Sequence, residues 1–237
     1  MKLSRETALK IHYILDQLLP PVLRDSKWFM QMPLKMLYKD KAEIFFNFKK
    51  KAHLLTEEEF AQAYKDVEPV LMDRETDLTN ESINEVLREI KGETVLEVGC
   101  GKGLLASKLS QRNKVTAVDI IIDPIALEKY PQVNFAHANI EQLPFPDSSF
   151  DTVVCAHTLE HVRDIHSAYN ELKRVAKNRL IIIVPRQRPY KYTFDLHLNF
   201  FPYIHSLNAA LGVSPSNARC EEISGDLKYV EDFEEYT

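Results

Sequence analysis

Cysteine is scarce in this chain: Cys100, Cys155 and Cys220 are the only three in 237 residues, and no two form a CxxC pair. An odd, dispersed set excludes a disulfide framework and offers no thiolate zinc site, so a reducing compartment is expected. No apolar run is long enough to span a bilayer. The opening Met1-Lys2-Leu3-Ser4-Arg5-Glu6 leads into an amphipathic pattern instead of an apolar signal core, which makes a cytoplasmic location the expectation. An excess of positive charge is also missing. The net charge of −5 argues against a surface that grips nucleic acid by neutralising phosphates, and favours a small-molecule or glycan substrate. There is no internal repeat and no low-complexity segment.

What is present suits a globular protein with one good-sized core and an appendage: 45% of residues are apolar and 27% charged. The first third reads as helices. Ser4 can cap a segment with Ala8, Ile11, Leu15 and Leu18 on one face, stopped by Pro20-Pro21. A second runs from about Leu34 to Ala52. Thr56 with Glu59 forms a capping box for a third. Thr79 or Asn80 starts a fourth, through Ile83, Val86, Leu87 and Ile90 to Gly92. Lys49-Lys50-Lys51 reads as a solvated charge block.

From Thr94 the texture alternates. Thr94–Val98, Val115–Asp119, Val133–Phe135, Thr152–Ala156 and Leu180–Val184 are short β-branched runs separated by helical segments such as Lys102–Arg112 and Ile165–Ala176. Such alternation implies a parallel sheet with right-handed crossovers. A helix near Ile204–Leu211 and a strand pair near Cys220–Ile223 and Leu227–Val230 follow. The expected division is a helical extension or lid over residues 1–82 and an α/β domain over 83–237.

Glu97-Val98-Gly99-Cys100-Gly101-Lys102-Gly103 ends the first strand and opens a helix. Glycines there allow a sharp turn and close approach to a ligand, and the helix start presents free N–H groups to it. Asp119 ends the second strand, where a carboxylate can accept bonds from ribose hydroxyls. The dinucleotide fingerprint G-x-G-x-x-G fails, because its last position falls on Leu104.

The spacing G-x-G-x-G behind an acid instead resembles motif I of class I S-adenosylmethionine-dependent methyltransferases. Asn139-Ile140-Glu141-Gln142-Leu143-Pro144-Phe145, then Asp147-Ser148-Ser149-Phe150-Asp151-Thr152-Val153, then His157-Thr158-Leu159-Glu160-His161-Val162 are similar to the linker, fourth strand and post-strand segment of the ubiquinone/menaquinone-biosynthesis-like superfamily. His197-Leu198-Asn199-Phe200-Phe201 resembles the segment after its fifth strand. The resemblance implies a Rossmann-like α/β fold, mostly parallel with an antiparallel last strand, and S-adenosylmethionine as cofactor. It places Gly99, Cys100, Gly101 and Gly103 around the methionine part and Glu97 at the loop or the amino group. Asp119 falls at the ribose, Asn139 and Ile140 at the adenine, and His157 near the sulfonium, with Ile120 also among the cofactor-binding residues. No metal is required. His197 is the expected acceptor-side base if the nucleophile is a hydroxyl.

Alternatives stand beside this reading. His157-Thr158-Leu159-Glu160-His161 also matches the zinc-peptidase pattern H-x-x-E-H, which needs a helix carrying both histidines on one face. Tyr190, Tyr192, Phe194, Phe200, Phe201 and Tyr203 form either a packed cap or a pocket that stacks on a sugar. Arg186, Arg188 and Lys191 either hold an acceptor anion or sit in solvent. Trp28, Phe29, Met30, Phe45, Phe46 and Phe48 near lysines suit a lid, a dimer face or peripheral membrane contact. A non-catalytic cofactor-binding partner and a nicotinamide oxidoreductase remain the competing functions.

Overall fold

The computed structural model describes residues 13, 14, 18–71, 75–212 and 216–233. The helix expected from Ser4 lies largely outside them. The chain divides into two compact units, one of Met1–Glu75 with Gln187–Phe200 and the other of Thr76–Arg186 with Phe201–Thr237. This differs from a single cut between residues 82 and 83: the helix Asn80–Glu89 belongs wholly to the second unit, and residues 187–200 to the first.

The second unit is built on seven strands: β1 (Thr94–Val98), β2 (Lys114–Asp119), β3 (Asn134–His137), β4 (Phe150–Ala156), β5 (Ala176–Pro185), β6 (Ala218–Ile223) and β7 (Asp226–Asp232). Their order is β3-β2-β1-β4-β5-β7-β6. All pairings from β3 to β5 are parallel, and β7 runs antiparallel to both neighbours. Both faces are covered, which is why the central strands read as nearly continuous apolar runs. Leu96, Val153, Leu180 and Ile182 meet helices Ile165–Val175 and Ile204–Leu211 in one core. Their neighbours Val95, Val154, Ile181 and Ile183 meet Asn80–Glu89 and Leu104–Leu109 in the other.

Thr79 caps the first of these helices by accepting from the Ser82 N–H, and Gly92 (φ 77°) turns the chain into β1. Ion pairs bind this helix to β5 and β7. Lys228, fully buried, reaches Glu85 at 3.0 Å and Glu89 at 3.4 Å, and Arg179 reaches Glu89 at 2.8 Å and Asp232 at 2.8 Å. Removing one partner would strand a buried charge.

The first unit is helical: Lys27–Tyr38, Ala42–Lys51 and Glu57–Leu71. The single helix expected from Leu34 to Ala52 is therefore two, because the chain breaks at Lys39 (φ 52°) and passes through a 3-10 turn at Lys39–Lys41. The break lays the Tyr38 ring on Phe45, centroids 4.0 Å apart, while the Tyr38 hydroxyl donates to Phe194 O. The capping box forms as expected, with Thr56 N–H donating to Glu59 Oε2 and Glu59 N–H to Thr56 Oγ1. Lys49 departs from the solvated reading: its ammonium donates to Tyr190 O at 2.5 Å and lies 4.2 Å over the Phe200 ring. Burial lowers its pKa to about 8, against the opposing charges of Asp195 and Asp25.

Candidate functional site

The carboxyl ends of β1, β2 and β4 converge on the glycine loop. Gly99, Gly101 and Gly103 all have positive φ, at 77°, 49° and 74°, yet each glycine is needed for a different reason. A Cβ on Gly99 would lie 1.9 Å from Thr158 Oγ1, and one on Gly103 would lie 2.7 Å from the Phe135 ring. Those two glycines permit close packing behind the loop. A Cβ on Gly101 would meet nothing within 4 Å. Gly101 is the position that faces open space, where a ligand can approach the backbone.

Two carboxylates stand behind that opening. Asp119, at the end of β2, accepts from Gly101 N–H at 2.8 Å through Oδ2 and from Ile121 N–H at 3.1 Å through Oδ1, so it fixes the loop to its own strand end. Glu97 on β1 is 3% exposed. Burial, then the charge of Asp119, raises its pKa well above the usual carboxylate range, opposed by a hydrogen bond from the backbone of Ala106 in the helix Leu104–Leu109. Its Oε2 is buried with no hydrogen-bond partner among the described residues. An orphaned carboxylate oxygen beside a second acid is a place for a cation that donates hydrogen bonds.

Cys100 is buried within the loop, and its thiol pKa is raised by burial, then by Glu97 and Asp119, so it stays protonated and unreactive. Ile120, half-buried, follows Asp119. Ala138 N–H donates to Asp119 O at 3.1 Å, which brings the next residue, Asn139, beside the end of β2. Asn139 Oδ1 accepts from Glu141 N–H at 2.9 Å in an Asx turn, and Ile140 is buried in the core.

His157 follows β4 at φ 52°. Its ring reaches across to β7, with Nε2 3.1 Å from Asp226 Oδ1, and the neighbour Thr158 is the residue that packs on Gly99. Asp226 in turn accepts from Ser82 Oγ at 2.9 Å. Burial alone would lower the His157 pKa. The Asp226 hydrogen bond and charge, with Glu160 and Asp77 behind it, outweigh burial and hold the pKa above 6.5. Glu160, 1% exposed, lies 4.0 Å from His157 Nδ1 and 3.9 Å from His161 Nε2. Burial pushes it up to about 7, with His157 pulling the other way. Residues 157–161 form a bend and turn, not the helix that the zinc pattern requires.

His197 belongs to the other unit. Its Nδ1 is 2.6 Å from Gln187 Oε1, and the Gln187 amide donates to the Tyr190 hydroxyl at 2.7 Å, so the carbonyl end faces the ring. That carbonyl can accept from Nδ1–H, and Nδ1 also lies 3.9 Å from Asp195 Oδ2. Tyr190, Tyr192, Phe194 and Phe201 are buried, which makes them core; Tyr203 is 44% exposed. Arg186 pairs with Glu222 at 2.9 Å.

The sequence reading missed Asp226, which sits beside the hairpin turn Ser224-Gly225. Nothing local marks it, since its partners are 69 and 144 residues away. Among the described residues no helix is long and apolar enough to cross a membrane.

A parallel sheet with one reversed strand, a glycine loop after β1 and carboxylates on β1 and β2 define a Rossmann-like class I methyltransferase fold. A crystal structure of a SAM-dependent methyltransferase from Aquifex aeolicus has the same fold, at a TM-score of 0.50 and 21% identity, over 75% of this chain and 98% of that one. Residues 96–184 match the family model described as a methyltransferase domain. An O-methyltransferase of Aspergillus nomiae is 31% identical, over 43% of this chain and 50% of its own length. A ubiquinone biosynthesis O-methyltransferase of Alkalilimnicola ehrlichii is 32% identical, over 48% and 50%. Over residues 96–184 the chain is thus similar to methyltransferase domains, and the relatives that match it include a ubiquinone biosynthesis O-methyltransferase. The chain spans about half the length of the curated relatives it matches.

Proposed function

We propose that the protein is an S-adenosylmethionine-dependent methyltransferase that acts on a hydroxyl of a small molecule or a sugar or glycan precursor. The observation that carries the reading is the pair Glu97 and Asp119 behind Gly101: an acid with an orphaned oxygen beside the one loop glycine that faces open space. A cofactor with a cationic amino-acid end fits a site with two carboxylates better than a pyrophosphate does, since the latter would add negative charge.

When bound, S-adenosylmethionine supplies a methyl group on a sulfonium, open to in-line displacement. The protein's task is alignment and exclusion of water. Glu97 would hold the ammonium and the Gly101 segment the carboxyl end. Asp119 and Ile120 would border the ribose, with Asn139 and Ile140 at the adenine. Thr158 keeps the loop seated against β4, and His157 is fixed by Asp226. His197, its Nδ1 against the Gln187 carbonyl, is the group proposed to take the acceptor's proton. Tyr203, 44% exposed and stacked on His205 with centroids 5.2 Å apart, is an aromatic of the kind that packs on a sugar.

Thermal shift with S-adenosylmethionine, its demethylated product, NAD and NADP tests the cofactor. The first two should stabilise the protein and the last two should not; the reverse would favour an oxidoreductase. Stabilisation without turnover across hydroxylated acceptors would favour a non-catalytic partner protein.

A further inference from the structure

The helix Lys27–Tyr38 is apolar on two opposite faces. Met30, Leu34 and Tyr38 recur every fourth residue and form its buried side. Trp28, Met32 and Met36 recur with the same spacing but are offset by two residues, which places them about 200° around the helix. They are 83%, 71% and 76% exposed, and Val22 in the preceding short helix Pro21–Arg24 is 78% exposed. Of the residues that suggested a membrane or dimer face from sequence, Met30, Phe45, Phe46 and Phe48 are core. Trp28 alone of those residues is strongly exposed, and Met32 and Met36 join it in a ridge along the helix. A contiguous exposed ridge of this kind marks a surface that meets a partner.

The charge along the helix itself has one sign. Lys27, Lys35 and Lys39 are exposed, the Lys27 ammonium lying 5.1 Å from the Phe46 ring, and no acid occurs between Lys27 and Tyr38; Asp25 stands before the helix, and Asp40 and Glu43 after it. The chain as a whole carries −5, so the positive sign is local. We propose that this face docks on an anionic lipid surface, with Trp28, Met32 and Met36 entering the boundary between headgroups and acyl chains and the flanking lysines meeting the headgroups. An indole ring and unbranched thioethers suit that boundary, and lysine stems can lie along it with their ammonium ends in water. A second copy of the chain is a poorer fit. Self-pairing of this ridge would bring lysines together with no carboxylate on either helix to answer them.

Trp28 is the only tryptophan, so the emission of the full chain reports this face directly. Vesicles of phosphatidylcholine alone and with phosphatidylglycerol would be added, and both emission and co-sedimentation followed. Binding to the anionic vesicles with a blue shift is expected, weakened by salt. Lys27→Glu/Lys35→Glu should cut binding by roughly five-fold or more per lysine. Met32→Ser/Met36→Ser should remove the blue shift while circular dichroism stays unchanged, since these side chains point outward. Unaltered emission and no sedimentation with anionic vesicles would overturn the proposal. So would a blue shift that tracks protein concentration without lipid, with light scattering reporting a dimer. Neither result depends on methyl transfer.

Discussion

His157 Nε2 and Asp226 Oδ1 lie 3.1 Å apart, which ties the turn after β4 to the start of the reversed strand β7. The pair anchors a buried titratable group that includes Glu160, and it gives stability a defined pH dependence. Glu160 ionises near pH 4.5 when exposed but near 7 here, so between those values the native state holds a proton that the unfolded chain has lost. Stability must then fall as pH rises through that window. The raised His157 pKa acts in the same direction: its contribution is complete below 6.5 and is lost as pH rises through the higher native value. Denaturant unfolding at pH 5, 6, 7 and 8 should show a decline on the order of 2–3 kcal/mol from Glu160, most of its linkage ceiling of about 3 kcal/mol, with His157 adding to it. Glu160→Gln should flatten its lower part. A rise in stability from pH 5 to 8, or an unchanged slope in the variant, would remove the network from the account.

The three loop glycines should respond differently to substitution. Gly101→Val imposes a β-branched side chain at φ 49° and fills the open space, so the domain should fold yet lose cofactor binding. Gly99→Ala should instead destabilise the fold, because its methyl meets Thr158. Thr158→Gly should recover part of that loss. Calorimetry for binding and thermal unfolding for stability separate the two effects. Normal binding by Gly101→Val would take the loop out of the site.

Most of the fold was legible because its signals are local. Alternating β-branched runs gave the five parallel strands to within a few residues, and Thr79 and Thr56 marked helix starts by their own hydrogen bonds. The glycine loop and the acids Glu97 and Asp119 were legible by spacing. What escaped depends on long-range pairing. Asp226 acquires its role only when β7 inserts beside β5, and residues 187–200 join the helical unit through bonds such as Tyr38 to Phe194 and Tyr64 to Leu196. The break at Lys39 follows a helical pattern on both sides, so periodicity alone could not locate it.

Glu97 should make cofactor binding a proton-releasing event. Burial and Asp119 keep it protonated above the usual range in the free protein, and an ammonium docked at Oε2 would favour the ionised form. Titration calorimetry in two buffers of different ionisation heat should therefore give different apparent enthalpies. Glu97→Gln should erase the buffer dependence and weaken binding by about 1.5–3 kcal/mol, the scale of a hydrogen bond to a charged group. Equal enthalpies in both buffers for the parent protein would place the cation elsewhere.

His197 carries the prediction that bears most directly on chemistry. A hydroxyl acceptor has a pKa far above neutrality, so a positioned base that removes its proton as the methyl moves is worth about 10²–10⁴-fold. His197 is 9% exposed, and the Gln187 carbonyl, whose amide is held by the Tyr190 hydroxyl, can accept from Nδ1–H, the tautomer in which Nε2 would act as the base. His197→Ala should lower kcat by that range and leave affinity for S-adenosylmethionine unchanged. Gln187→Leu removes the acceptor that sets the tautomer without removing the imidazole. It should lower kcat less, with a shifted acidic limb in the pH profile, whereas a purely structural role would lower the unfolding temperature and leave that limb in place. Near-full turnover by His197→Ala would mean that alignment alone, or the His157 side of the sheet unit, accounts for the rate.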